Sequence, residues 1–199
     1  MKQEILKASE PPVDSSSDIE SVFQLPARAQ SGKIYLITGQ KAQVAPVVQE
    51  LVHHFVARGE VRVIVGGNRF SLERLPIVMG EAIGKLHQAL ERVQISRGET
   101  CYQLLHALQK SPRKKTPLIV MDMLNSFYDE DLTEGEVSRV LEKCLLQLQR
   151  LSEEAPLLIS SSVNTSRERL LTELIKLSEY SIELWPEQAE PSAAQLNLM

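Results

Sequence analysis

Ile34-Tyr35-Leu36-Ile37-Thr38-Gly39-Gln40-Lys41-Ala42-Gln43-Val44 is the stretch that decides the fold. It opens as an apolar run of strand length that ends at a glycine, the pattern of a strand buried on both faces. From Val44 the period changes. Val44, Val47, Val48, Leu51, Val52 and Phe55 recur at i, i+3, i+4 on one face of an amphipathic helix. The helix runs through Arg58, and Gly59 ends it. A strand, the short turn Gly39-Gln40-Lys41-Ala42 and a helix therefore follow one another directly.

The alternation continues outward. A second strand, Val61–Val65, ends in Gly66-Gly67-Asn68, and a looser helical stretch passes through Ile83, Leu86 and Leu90 to a short strand, Val93–Ile95. The helix Glu99–Gln109 carries Tyr102, Leu104, Leu105 and Leu108. A basic loop, Lys110-Ser111-Pro112-Arg113-Lys114-Lys115, precedes the most apolar strand, Pro117–Met121. Thr133-Glu134-Gly135-Glu136 opens the next helix as a capping box, ahead of the stripe Val137, Val140, Leu141, Cys144, Leu145, Leu148 and Leu151. Leu157–Ser161 reads as another strand. A helix then runs from near Ser166 through Leu170, Leu171, Leu174 and Ile175, and Tyr180–Trp185 closes the sheet. Strands separated by single helices need crossover connections. The expected fold is α/β, an open, mostly parallel sheet covered by helices on both faces, in one domain over residues 19–186. Residues 1–18 and 187–199 are polar and Pro-, Ser- or Gln-rich, and read as a disordered leader and tail.

Composition sets bounds. The 199 residues suit one core of ordinary domain size, with 43% hydrophobic and 24% charged residues. A net charge of −4 gives no global pull toward nucleic acid, while leaving room for a local basic patch. Cys101 and Cys144 lie in apolar helical patterns without C-x-x-C spacing, which predicts buried free thiols. The chain shows no apolar signal region and no apolar run of spanning length, so the expectation is an intracellular protein with no membrane contact.

The turn after the first strand carries the functional argument. In a nucleotide-binding α/β domain this position holds G-x-x-x-x-G-K-[ST], whose backbone N–H groups wrap the phosphates. The four residues here are too few to wrap a pyrophosphate, and Ala42 offers no oxygen to a metal ion. Nearby Ser31-Gly32-Lys33 looks like the tail of such a motif, but it precedes the strand where the motif must follow it.

The order of segments resembles the RecA-like recombinase core over roughly residues 20 to 185. Ser31 to Gly39 resembles the opening strand of that core. Val93-Gln94-Ile95-Ser96-Arg97 with Thr100 to Leu105 resembles the third strand and the helix after it. Pro117 to Asp122, then Ser126-Phe127-Tyr128, resembles the Walker B strand and the start of the first DNA-binding loop. Leu157 to Asn164 falls where the family has a strand ending in Asn-Gln and its second DNA-binding loop. The resemblance places Lys41 at the phosphate-loop lysine, with Gln40 for the preceding glycine and Ala42 for the metal-holding hydroxyl. Gly67 falls at the glutamate that activates water, and Ser160–Ser162 replace the sensor glutamine. Asp122 remains, although an acid at a strand end also suits helix capping or loop anchoring. Phosphoryl transfer needs the cradle, the metal and an oriented water together.

Gly39, Gln40, Lys41, Ala42 and Asp122 thus form a degenerate nucleotide site, with no catalytic residue and no metal ligand expected and no ATP or Mg²⁺ counted on as a cofactor. Lys41 reads either as a contact to a phosphate or a partner's carboxylate, or as a solvated lysine at a helix entrance. Gly66-Gly67-Asn68 reads either as a close approach to a ligand or as a plain turn. Lys110, Arg113, Lys114 and Lys115, with Arg167 and Arg169 in the second loop, are candidate DNA-binding residues, set against a solvated charged surface. The basic loop should lie at the sheet's N-terminal edge, away from the loops of the resemblance, and Asp129-Glu130-Asp131 would repel phosphate in the first of those loops.

The resemblance implies a non-catalytic RecA-like paralogue, an accessory or scaffold subunit in homologous-recombination DNA repair. Its implied partners are another RecA-like paralogue or a recombinase, a SWIM-type zinc protein, and single-stranded DNA. Its implied location is the nucleus in a eukaryote and the cytoplasm otherwise. Two alternatives stand beside it: an ATPase with an atypical phosphate site built from Lys41, a helix N-terminus and Asp122, and a degenerate scaffold outside DNA repair.

Overall fold

The computed structural model describes residues 22–67, 91–128, 132–164 and 168–184. The expected leader and tail, Asn68, the stretch through Leu90, Asp129-Glu130-Asp131, Arg167 and Trp185 lie outside the described residues. The described chain runs α1 (Leu25–Arg28), β1 (Ile34–Gly39), α2 (Lys41–Arg58), β2 (Val61–Gly66), β3 (Val93–Gly98), α3 (Cys101–Lys110), β4 (Leu118–Met121), a 3-10 turn (Met123–Phe127), α4 (Glu134–Ser152), β5 (Leu157–Ser162), α5 (Glu168–Leu177) and β6 (Tyr180–Leu184).

The strands form one open, six-stranded, all-parallel sheet in the order β3-β2-β4-β5-β1-β6. Strand period sorts the side chains into two cores. Ile34, Leu36, Ile64, Leu118, Val120, Leu157 and Ile159 face α3, α4 and α5. Ile37, Val61, Val63, Val65, Ile119, Met121 and Leu158 face α2. Burial on both sides explains why β1 and β4 read as nearly continuous apolar runs and why β2 does so apart from Arg62. The architecture is consistent with a RecA-like α/β core.

Several boundaries and faces differ from the sequence reading. β3 extends to Gly98 because it pairs with β2 along its whole length. α3 starts two residues later than expected, since Thr100 caps it: its hydroxyl accepts from the Gln103 N–H, and the Gln103 side chain returns to the Thr100 N–H. Tyr102 and Ile175, which the reading placed with the apolar stripes, point outward at 51% and 47% exposure. The box Thr133/Glu136 opens α4 as expected. Cys101 and Cys144 are buried free thiols facing each other across α3 and α4, and burial pushes the Cys144 thiol up to about 12. Among the described residues, no helix is long and apolar enough to cross a membrane.

Candidate functional site at the strand ends

Sheet register builds the site. Gly39 of β1 pairs with Ser162 of β5, and Val65 of β2 pairs with Met121 of β4. The C-terminal ends of these strands thus lie side by side, with α2 starting at Lys41 directly beyond β1. Gly39 has φ +147, and its carbonyl accepts from the Val163 N–H at 2.9 Å, which ties the turn to the end of β5. Gly66 allows a close approach of backbones: a Cβ there would lie 2.5 Å from the Asp122 carbonyl oxygen. The close approach is to the chain's own Asp122.

Asp122 is the hub. It sits at φ +47, ψ +47, a left-handed conformation that Asp tolerates better than most side chains. Its N–H donates to Ser160 Oγ at 3.0 Å, and its Oδ1 accepts from Ser162 Oγ at 2.8 Å. Its Oδ2 meets Lys41 Nζ at 3.1 Å, and the same ammonium approaches Asn125 Oδ1 at 3.5 Å. β5 lies between β1 and β4, so Lys41 reaches across the end of β5 to its partner. The small side chains Ser160 and Ser162 leave that path open. Asp122 therefore serves as the loop anchor of the sequence reading, and it makes no side-chain cap to the 3-10 turn.

Lys41 is more than a plain solvated lysine, because its ammonium is ion-paired within the chain. The pair is partly exposed, at 42% and 24% for the two side chains, so solvent screens it to about 0–1 kcal/mol. Beside it lies a cleft of about 50 Å³, bordered by Lys41, Asp122, Val44, Val65 and Met121. Small-molecule pockets ordinarily measure about 300–1,000 Å³. Gln40 occupies the N-cap of α2 without a side-chain hydrogen bond, and Ala42 follows with no hydroxyl. Among the described residues, no group of three or more His, Cys, Asp or Glu side chains converges to hold a metal.

Ser31-Gly32-Lys33 sits at the opposite edge of the sheet. The Gly32 N–H donates to the Ser152 carbonyl at 2.6 Å, and Ser31 Oγ donates to the Glu154 carbonyl at 3.1 Å. The basic loop also lies at that N-terminal edge, before β4, as the sequence implied. Arg113 there is ion-paired to Glu153 and Glu154. Arg169 donates to Ser138 Oγ and lies 4.0 Å from Glu134, on the first turn of α4. The structure does not bring Arg169 and the basic loop together.

Two residues escaped the sequence reading. Arg62, the second residue of β2, is 4% exposed and donates to Ser111 Oγ, the Pro112 carbonyl and the Thr116 carbonyl at 3.0, 2.6 and 3.0 Å. Arg150 near the end of α4 donates to the Leu108 and Ser111 carbonyls at 3.0 and 3.2 Å. The one sequence signal for Arg62 was a lone charge in Val-Arg-Val-Ile-Val. No protein-family model matches the chain, and no curated protein matches it.

Proposed function

We propose that the chain is a non-catalytic RecA-like paralogue that works as an accessory subunit in homologous-recombination DNA repair, through another paralogue or a recombinase. The observation that supports this most is the closure of Lys41 onto Asp122 at 3.1 Å. In an active P-loop enzyme the lysine cradles phosphates, and the strand-end aspartate helps to hold Mg²⁺. Here the two satisfy each other across the end of β5, so the chain supplies from within the contacts that a metal–nucleotide would otherwise make. An intact two-sided core with a self-paired site fits a part whose shape and surface are used by a partner.

The test is a thermal-shift titration with Mg·ATP, on the parent chain and on Lys41→Ala. A ligand that binds only the folded state raises the midpoint by mass action. No shift at millimolar nucleotide is the expected result. A shift that Lys41→Ala abolishes would overturn the proposal in favour of an ATP-binding site of unusual form.

A further inference from the structure

Lys110-Ser111-Pro112-Arg113-Lys114-Lys115 holds a pattern that the sheet and its strand-end site leave unused. Ser111 precedes proline, and Lys114 stands three places beyond it, in the single Ser-Pro step of the 199 residues. A groove that binds an extended segment can require proline after the reacting hydroxyl, because proline brings no N–H to leave unsatisfied. The same groove can select the lysine by charge. Ser-Pro-x-Lys is therefore the pattern that a proline-directed serine/threonine kinase reads.

The fold presents this pattern in usable form. Ser111 ends α3 at φ −66, ψ 123, the extended conformation that a following proline favours. Pro112, Arg113, Lys114 and Lys115 are exposed, and Ser111 is half-buried. The Ser111 hydroxyl accepts from Arg62 Nη1 at 3.0 Å and donates to no acceptor among the described residues, so its proton is open to a base. The one Thr-Pro step, Thr116-Pro117, differs. Three places beyond Thr116 stands Ile119, fully buried in β4, so that step enters a groove only by pulling a strand from the sheet.

A phosphate on Ser111 would meet a receptor already in place. Arg62 Nη1 touches the very oxygen that would carry it, and Arg150 Nη2 donates to the Ser111 carbonyl at 3.2 Å. Guanidinium bonds to phosphate are about twice as strong as bonds to neutral oxygens. Exchange of the hydroxyl for a phosphate thus tightens a contact the loop already makes. The carbonyl end of α3 opposes an anion here. Arg150 offsets that charge by taking the Leu108 carbonyl at 3.0 Å.

We propose that Ser111 is a phosphorylation site for a proline-directed serine/threonine kinase, and that Arg62 and Arg150 receive the phosphate. In the transfer, Ser111 Oγ attacks the γ-phosphorus of Mg·ATP. The bond to the β–γ bridging oxygen breaks, ADP leaves, and the hydroxyl proton passes to the catalytic aspartate of the kinase. The product brings a charge of about −1.5 to −2 into the basic loop and fastens that loop to β2 and α4. The site lies at the opposite edge of the sheet from Lys41 and Asp122, and it does not depend on the repair role.

The experiment treats the folded full chain with Mg·ATP and a purified cyclin-dependent kinase, and reads the intact mass, the phosphopeptide and the initial rate. One phosphate on Ser111 is expected, and none in Ser111→Ala. Pro112→Ala and Lys114→Ala should each lower the rate at least about tenfold, while Thr116→Ala should react as the parent does. The Pro112 and Lys114 side chains are exposed, so folding is not at stake in those two variants. Phosphorus NMR then titrates the phosphorylated chain beside a phosphopeptide of residues 107–118. Two guanidiniums favour the dianion, so the midpoint in the chain should lie below that of the peptide, and Arg150→Gln should move it back up. The proposal is overturned if the folded chain takes no phosphate, if the phosphate lands on Thr116 or elsewhere, if the rate ignores Pro112 and Lys114, or if chain and peptide titrate together.

Discussion

Asp122→Ala separates an anchoring carboxylate from a metal-binding one. The substitution removes the charged acceptor of the Ser162 hydroxyl, a 2.8 Å bond of a kind that contributes about 1.5–3 kcal/mol. It also removes the screened pair with Lys41, about 0–1 kcal/mol. Alanine at φ +47 adds about 1 kcal/mol of strain that Asp largely avoids. The expected loss is about 3 kcal/mol in all, which lowers the midpoint by roughly 6–12 °C at about 2–4 °C per kcal/mol. Asp122→Asn keeps an acceptor oxygen and tolerates the same φ, so it should cost only about 1 kcal/mol. Lys41→Ala should cost less than about 1 kcal/mol. The assay is thermal and urea unfolding followed by circular dichroism, with and without Mg²⁺. An Asp122→Ala protein that unfolds at the parent's temperature would refute the anchoring argument. So would a Mg²⁺-dependent rise in the parent's midpoint that Asp122→Asn abolishes, since that would mean the carboxylate holds a metal.

Three further outcomes follow from the geometry. Gly66→Ala puts a Cβ 2.5 Å from the Asp122 backbone oxygen, which cannot swing away; it should destabilise by about 1–3 kcal/mol in urea unfolding and separate β2 from the Asp122 turn. Arg62→Lys reaches fewer of the three oxygens that the guanidinium holds; it should lose about 2 kcal/mol, and limited trypsin digestion should cut within residues 111–116 faster than in the parent. The Cys144 thiol is held neutral by burial, with a folded value of about 12 against an ordinary 9.0. Its contribution is complete below the ordinary value and is lost as pH rises from there toward the folded value, so the parent should lose about 1.4 kcal/mol more than Cys144→Ala between pH 7 and about pH 10. An equal loss in both proteins would show that the thiol is not responsible.

The core was legible because each strand is buried on two faces and each helix on one. Apolar runs such as Leu118–Met121 and stripes such as Val137–Leu151 carry that geometry in their periods. The short turn was legible too, because β1 ends at Gly39 and α2 begins at Lys41, and the spacing of a phosphate loop is local. The partner of Lys41 was not, since Asp122 lies 81 positions further on and is reached only because β5 separates β1 from β4. Arg62 failed to show for the same reason: its acceptors lie about fifty residues away in a loop, and period alone cannot tell a charge that curls under a loop from one that reaches water. Tyr102 was misplaced because it directly follows the buried Cys101, and one position around a helix is enough to turn a ring from core to solvent. The Thr100-x-x-Gln103 box was written in the sequence and went unread.

Strand order also governs how the molecule must assemble. β1 and β2 are consecutive in the chain but never touch, because β4 and β5 fill the space between them. When the first half of the chain is complete, β2 can pair with β3, while β1 has no neighbour at all: both of its partners, β5 and β6, come from the second half. A nascent chain must therefore carry β1 without a strand on either side, and Ile34 and Leu36 without their β5 neighbours, until β5 has been made. Pairing between such distant segments is slow and open to misassociation. Fragments that stop before β5 should be held by chaperones or aggregate, whereas loss of β6 alone removes only an edge strand.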